Sequence, residues 1–421
     1  MRSSIAFCLT AALLRQCADI ASGAVLILYL SYLNAHVRPI SSTTVGVIGT
    51  GFYLLSIFLP PVFGGLSDRL GRKPFIILGL AIGLVVVQFY PLTTLPFLFF
   101  LLLSMEGIGN AVESPATLGY LGDVTIAAPR LRGKTMALYE IVTMASVGVG
   151  YLLGGILWDS FGTDGFRILS GVYLLGIGCV VFGLRHVPQT QSSSTETLAK
   201  GWWRVRRLML IAPAILAASA VIGAWSAQAP FLASSEMQGS GQRLIGGYSG
   251  TAIGLVLLPF AATFGLGAYT WGAASSRIRQ SYILAIGLVG VVTLLGAVYW
   301  WNNLNPDSVG ALSRAEQVGF LLVLAGSVFA ASGFTPVVLI FLANSAEEYA
   351  LGRGVVMGVY SLLLGLGRMA GSWLSGLAAE AGGFNGLIVL TLVLVAVAGA
   401  SVGAAMASRS RSRGKAQQDA A

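Results

Sequence analysis

The chain has 421 residues, 56% of them hydrophobic and only 10% charged, with a mean hydropathy of +0.81. Soluble domains carry about 25% charged residues, and a water-soluble body of this composition would expose large apolar patches. The formal charge of +9 lies in short segments between apolar runs, which speaks for membrane topology and against a nucleic-acid surface.

A span of the hydrocarbon needs about twenty apolar residues. Twelve segments qualify in chain order: 5–33, 43–64, 74–92, 94–121, 133–158, 166–185, 207–235, 246–270, 280–301, 315–343, 354–380 and 384–407. Arg2 precedes the first, which runs past Arg15 and Asp19 to Tyr32 without a small-residue cleavage site. It reads as a spanning helix, not a removable leader. The breaks carry turn chemistry, as at Asn34–Ser42, Asp159–Gly165 and Asn302–Ser313. Spanning strands are excluded, because the segments are long and do not alternate polar with apolar. A polar stretch at 187–206 reads as a cytoplasmic linker between six-helix bundles at 1–186 and 207–408, and 409–421 as a disordered basic cytoplasmic tail. The expected fold is an all-α membrane protein of twelve transmembrane helices in two bundles. Cys8, Cys17 and Cys179 lie in apolar runs without metal or disulfide spacing, so no metal and no cofactor is expected.

Basic residues set the orientation. With the N-terminus inside, only Arg38, Arg167, Arg243 and Arg314 fall in outside loops; Arg15 and Arg368 lie within helices, and every other Lys and Arg is inside. This predicts a multi-pass protein of the plasma (inner) membrane with both termini cytoplasmic. The halves also match at one constant offset. Pro115 meets Pro336, Arg132-Gly133 meets Arg353-Gly354, Tyr139 meets Tyr360, Gly155 meets Gly376 and Asp159 meets Glu380. Such parallel repeats place a substrate site between them near midplane.

After the second segment stands Gly65-Leu66-Ser67-Asp68-Arg69-Leu70-Gly71-Arg72-Lys73. Asp68 among three bases can sit in a charge network; Gly65 would permit close helix approach and Gly71 a tight turn. The run resembles the signature loop of the major facilitator superfamily, Gly-x-Leu-Ala-Asp-Arg-x-Gly-Arg-Lys, with Ser67 in the alanine place. The resemblance implies a cytoplasmic gate at Gly65, Asp68, Arg69, Gly71 and Arg72, which latches the two halves. Asp123 with Arg130, Arg132 and Gly133 resembles the family's second inside loop and joins Asp123 and Arg132 to that gate. Two features of the family's drug and proton antiporters are altered. Glu106 stands where they place an arginine, and Tyr151 replaces the proline of their Gly-Pro-x-x-Gly-Gly element.

A charge at the bilayer centre costs roughly 2.5–3.5 kcal/mol on insertion scales and usually meets a partner or a cavity. Arg15 and Asp19 share a face of the first helix. Glu106, Asn110 and Glu113 share a face of the fourth, Glu140 lies in the fifth, and Arg368 is in mid-span of the eleventh. Arg15 is expected to pair with Asp19 or Glu106, one acid exchanging a proton during transport. Arg368 is expected to hold an anionic group or to bond carbonyls, and Trp225 and Gln228 to contact substrate. No catalytic constellation is present, so the expectation is no enzyme. It is instead a monomeric secondary transporter of a small solute, coupled to protons, with export of amphipathic compounds ahead of import or uniport. A non-transporting receptor or scaffold on the same fold is the other class.

Overall fold

The computed structural model describes residues 2–126, 129–185, 206–237, 241–275, 277–304, 313–334, 336–337 and 353–418. The first half contributes α1 (Arg2–His36), α2 (Ser42–Phe58), α3 (Pro60–Leu70), α4 (Arg72–Phe89), α5 (Pro96–Val124), α6 (Pro129–Phe161) and α7 (Asp164–Gly183). The second contributes α8 (Arg206–Ala233), α9 (Gly250–Ala274), α10 (Gln280–Asn302), α11 (Arg314–Ala331) and α12 (Arg353–Gln418). Among the described residues no strand forms. That is what a chain in lipid requires, since helices satisfy every backbone group internally.

Two breaks reconcile these helices with twelve crossings. Pro60 and Pro61 interrupt the second, and α2 and α3 meet at a 48° bend to make one crossing. Ten further stretches are long and apolar enough to span. One of them, Val359–Ala404, has 46 residues, about twice what a bilayer needs. It breaks at Gly382 and at Gly383, whose φ of 58° lies in the left-handed region. Gly386 lies against the carbonyl of Ala378, so the chain doubles back there and crosses twice. Among the described residues one bent pair, nine single spans and one doubled span make twelve. Beyond the last crossing α12 stays helical to Gln418, where a disordered tail was expected from 409 onward. Ala, Arg, Lys and Gln are good helix formers, and basic side chains suit a helix C-terminus. The 187–206 linker, Arg206 apart, lies outside the described residues.

Within the first half α1 packs on α6 and α7, α4 on α5 and α7, and α2 on α5; within the second, α8 packs on α12 and α10 on α11. The halves meet through α2 with α12, α6 with α9 and α1 with α8. The α6–α9 seam is close enough that a Cβ on Gly155 would strike the backbone of Gly250. Small residues of this kind let helices approach where lipid supplies no hydrophobic drive. Outward-facing side chains such as Phe182 (90% exposed) and Leu322 (68%) are apolar, as contact with hydrocarbon demands.

The Gly382–Gly383 break gives a stability test. Gly383→Ala forces a Cβ into the left-handed region, at roughly 1–2 kcal/mol, and against Ile245 and Gln242. Its thermal midpoint in detergent should fall. Gly382→Ala, with a φ of −160° and open space around it, should be near neutral.

Candidate functional site

The deepest charges of the first half form one network. The Arg15 guanidinium pairs with Asp19 Oδ2 at 2.9 Å and with Glu113 Oε2 at 2.8 Å, and Nη1 also donates to Asn110 Oδ1 at 3.3 Å. Tyr173 of α7 donates its hydroxyl to Asp19 Oδ1 at 2.7 Å, and Thr117 donates to Glu113 Oε1. Arg15 is 2% exposed and Glu113 3%. The spacing explains the convergence. Asp19 lies one turn from Arg15 on α1, and Asn110 and Glu113 lie on the facing strip of α5. Glu106 shares that strip, two turns from Glu113 and out of reach of Arg15. It accepts from Ser22 of α1 at 2.9 Å and has no ion pair among the described residues. Of the two expected partners for Arg15, Asp19 is one; the second is Glu113 instead of Glu106. All these groups lie between α1, α5 and α7, inside the first bundle and not on the seam.

The signature loop forms a second charged cluster. Arg72 pairs with Asp68 one turn before it and with Asp123 Oδ2 at 3.2 Å. It also donates to Ser67 Oγ at 2.9 Å. Ser67 is fully buried and passes its own proton to the Gly64 carbonyl at 2.8 Å. The serine that departs from the family pattern therefore completes the arginine's shell. Gly71 has a φ of 102°, the tight turn expected of it, whereas Gly65 has open space around it. Close approach is not what Gly65 provides in this conformation. Arg69 is exposed, and the side chain of Arg132 lies outside the described residues.

The seam is closed at the end opposite the basic loops. Ser31 donates to the Phe231 carbonyl at 3.4 Å, Gln228 Nε2 to the Ser42 carbonyl at 2.8 Å, and Ser372 to the Gly46 carbonyl at 2.9 Å. Two carboxylates cross between the halves to cap helices. Asp159, at the end of α6, accepts from Gly250 N at 2.8 Å and Thr251 N at 2.7 Å at the start of α9. Glu380 of α12 accepts from Thr43 N at 3.0 Å at the start of α2. Helix N-termini present unsatisfied N–H groups and positive dipole ends, so each contact is favourable. These two acids match in the internal repeat, and the structure gives both the same task. Trp225 donates to Thr391 at 2.9 Å and packs on Phe384, while Gln228 is fully buried. Gln228 reaches across the seam near its closed end, whereas these contacts of Trp225 stay within the second half. Glu140 of α6 is exposed, and Arg368 of α12 is partly buried.

Sequence reasoning missed Ser22, Thr117, Tyr173 and Ser67, the hydroxyls that complete the two clusters. A lone hydroxyl in an apolar helix is the signal, but its facing partner is set by helix packing.

A twelve-crossing, two-bundle membrane protein with a charged loop after its second crossing has the form of a solute carrier. The Major Facilitator Superfamily model matches residues 8–247, and the chain belongs to that family. It is 23% identical over 378 residues to "MFS-type transporter SLC18B1" of Rattus norvegicus, covering 83% of this chain and 76% of that one. It is 24% identical to "Staphyloferrin B transporter" of Staphylococcus aureus (strain NCTC 8325 / PS 47), covering 76% and 72%. "Protein spinster homolog 1" of Xenopus laevis matches at 26% over 154 residues, so the chain spans only 29% of that relative's length. Among solved structures, an inward-facing, unoccupied bacterial homolog of the human lysosomal transporter Spinster superposes with a TM-score of 0.69. The identity is 17%, and the match covers 96% of this chain and 98% of that one. The nucleoside transporter NupG gives 0.67 at 14%, covering 95% and 98%. These two likenesses show the fold alone.

Two outcomes follow from the geometry. Arg15→Leu strands the buried carboxylate of Glu113 and the partly buried one of Asp19, and losing one partner of a buried pair costs about 3–5 kcal/mol; thermal unfolding in detergent should show it. Asp159→Asn combined with Glu380→Gln should loosen the closed end. In a background lacking Cys8, Cys17 and Cys179, a Ser31→Cys reporter should then react several-fold faster with a maleimide than it does without the two cap changes.

Proposed function

We propose that this chain is a proton-coupled secondary transporter, moving a small solute between its halves by alternating access. The observation that carries the reading is the Arg15 network. One arginine, sealed inside the first bundle, is shared by Asp19 and Glu113, and Glu106 stands behind Ser22 without a cation. One positive charge balances one carboxylate in a medium of low dielectric; a proton is the means left to balance the others.

A proton arriving on Glu113 removes the charge that seats α1 against α5, and one arriving on Asp19 removes the charge that Arg15 and Tyr173 of α7 hold. The same helix reaches across the seam at Ser31, so a change in its seating is transmitted to the closed end. The basic loops face the cytoplasm by the distribution of Lys and Arg, both termini lie on that side, and this conformation is closed to the exterior. The protein acts as a monomer in the plasma (inner) membrane. We take the direction as export of amphipathic compounds, and the relative named for staphyloferrin B supports carriage of a small compound. The altered antiporter features at Glu106 and Tyr151 place the chain apart from the drug exporters that carry those motifs.

The test uses everted vesicles energised with a proton gradient and a pH-sensitive dye, challenged with a panel of amphipathic cations and anions. Wild type should show solute-dependent proton movement. Asp19→Asn and Glu106→Gln should each lose it or flatten its pH dependence at least tenfold. Normal pH dependence in both variants would remove the coupling proposal.

A further inference from the structure

Among the described residues the second half carries one charge deep within a span, Arg368, fifteen residues into α12 from Arg353 and therefore about 22 Å along the helix. Its neighbours define where it stands. Gly365 lies against Ile57 of α2, Ser372 donates to the Gly46 carbonyl of α2, and Gly376 lies against Ser42 and Thr43. Gly367 and Gly371 lie against Leu216, Ser219 and Ala220 of α8. Position 368 falls between these two strips, at the corner that α2, α8 and α12 share. It is thus on the seam, at mid-depth. A long side chain on a helix leans back toward the helix N-terminus, here toward the end with the basic loops and away from the closed end. In that direction stand Tyr360 of α12 and Glu140 of α6; both Arg368 and Glu140 act electrostatically on Tyr360.

Two other arginines set within the fold are paired: Arg15 holds two carboxylates and an amide, and Arg72 holds two carboxylates and a hydroxyl. Arg368 differs in its counter-charge. Its Nε is buried without a hydrogen-bond partner, as is that of Arg15, but among the described residues Arg368 forms no ion pair. A guanidinium offers five donors in a planar fork suited to carboxylate or phosphate. Leaving such a fork without a counter-charge at mid-membrane is costly, and here it stands where α12 meets α2 on the seam between the halves.

We propose that Arg368 anchors the acidic group of the transported solute, which is an organic anion with an apolar body, its carboxylate or phosphate taken by the guanidinium fork. This rests on the transporter reading above and adds the class of substrate. The anion reaches the seam either from water, as a free organic acid, or from the membrane, as the head of an anionic single-chain lipid.

Binding is measured on the purified full chain in neutral detergent, by thermal stabilisation and tryptophan fluorescence. The probes are citrate, benzoate and oleoyl lysophosphatidate, with dodecyltrimethylammonium as the cationic control. At least one anion should bind wild type. Arg368→Gln should weaken it tenfold or more, and Arg368→Lys less. Response to the cation should not change. Benzoate without lysophosphatidate marks a free acid, and the reverse marks a lipid head. Unaltered ligand-free melting of Arg368→Lys confirms that the site is folded. Absence of binding by every anion, or equal binding by Arg368→Gln, overturns the proposal. So does restoration of Arg368→Gln transport by Glu140→Gln with anion binding unchanged, since the arginine would then be a gate charge. The two readings fail separately. A chain that moves the cation in vesicles but binds no anion loses the anchor and stays a transporter. One that binds anions through Arg368 but moves no solute keeps the anchor and loses the transport reading.

Discussion

Everything in this molecule is arranged around the cost of holding charge in hydrocarbon. An ionised side chain at the bilayer centre must find an opposite charge, a set of hydrogen bonds or a cavity. The first bundle meets that demand internally: Arg15 of α1 lies against Asp19 of its own helix and Glu113 of α5, and Tyr173, Thr117 and Asn110 add hydrogen bonds to the group. Among the described residues of the second bundle Arg368 has no such partner, and it stands at the corner of α2, α8 and α12. The two halves thus share an architecture and differ in chemistry. One stores charge in a closed network; the other presents it at the seam.

The seam itself is built on a symmetry that the charged sites ignore. Asp159 caps α9 and Glu380 caps α2, each carboxylate passing from one half to a helix start in the other. Ser249 and Ser41 cap the same two helix starts from within. A carboxylate on a helix N-terminus is favourable without burying a full ion pair, so such contacts can form and part at modest cost. That property suits an end that must open. The signature-loop cluster at the other end is different in kind, a network of Arg72 with Asp68, Asp123 and Ser67 held within the first half.

Reading the residues in order identified much of this. Twelve crossings, the bases on one side, and the family of the loop at Gly65–Lys73 all follow from hydropathy, charge and a nine-residue motif. So did the matching of Asp159 with Glu380, although what the two acids do required seeing the helices they cap. The helix-two bend at Pro60 and the merging of the last two crossings across Gly382–Gly383 shifted boundaries without changing the count.

Sequence by itself determined that lipid is the solvent, that the chain folds as two related bundles, and which residues are charged within them. Periodicity of apolar side chains and the length of each run are local properties, and local properties are legible along a chain. Tertiary structure alone decided that Arg15 takes Glu113 and not Glu106, that Ser22 and Tyr173 serve the acids, and that Arg368 stands between the strips of α12 that meet α2 and α8. Those facts depend on the rotation and depth at which one helix docks on another. A single turn, about 5.4 Å, separates a partner from a bystander, and that offset is set by packing between segments distant in the chain.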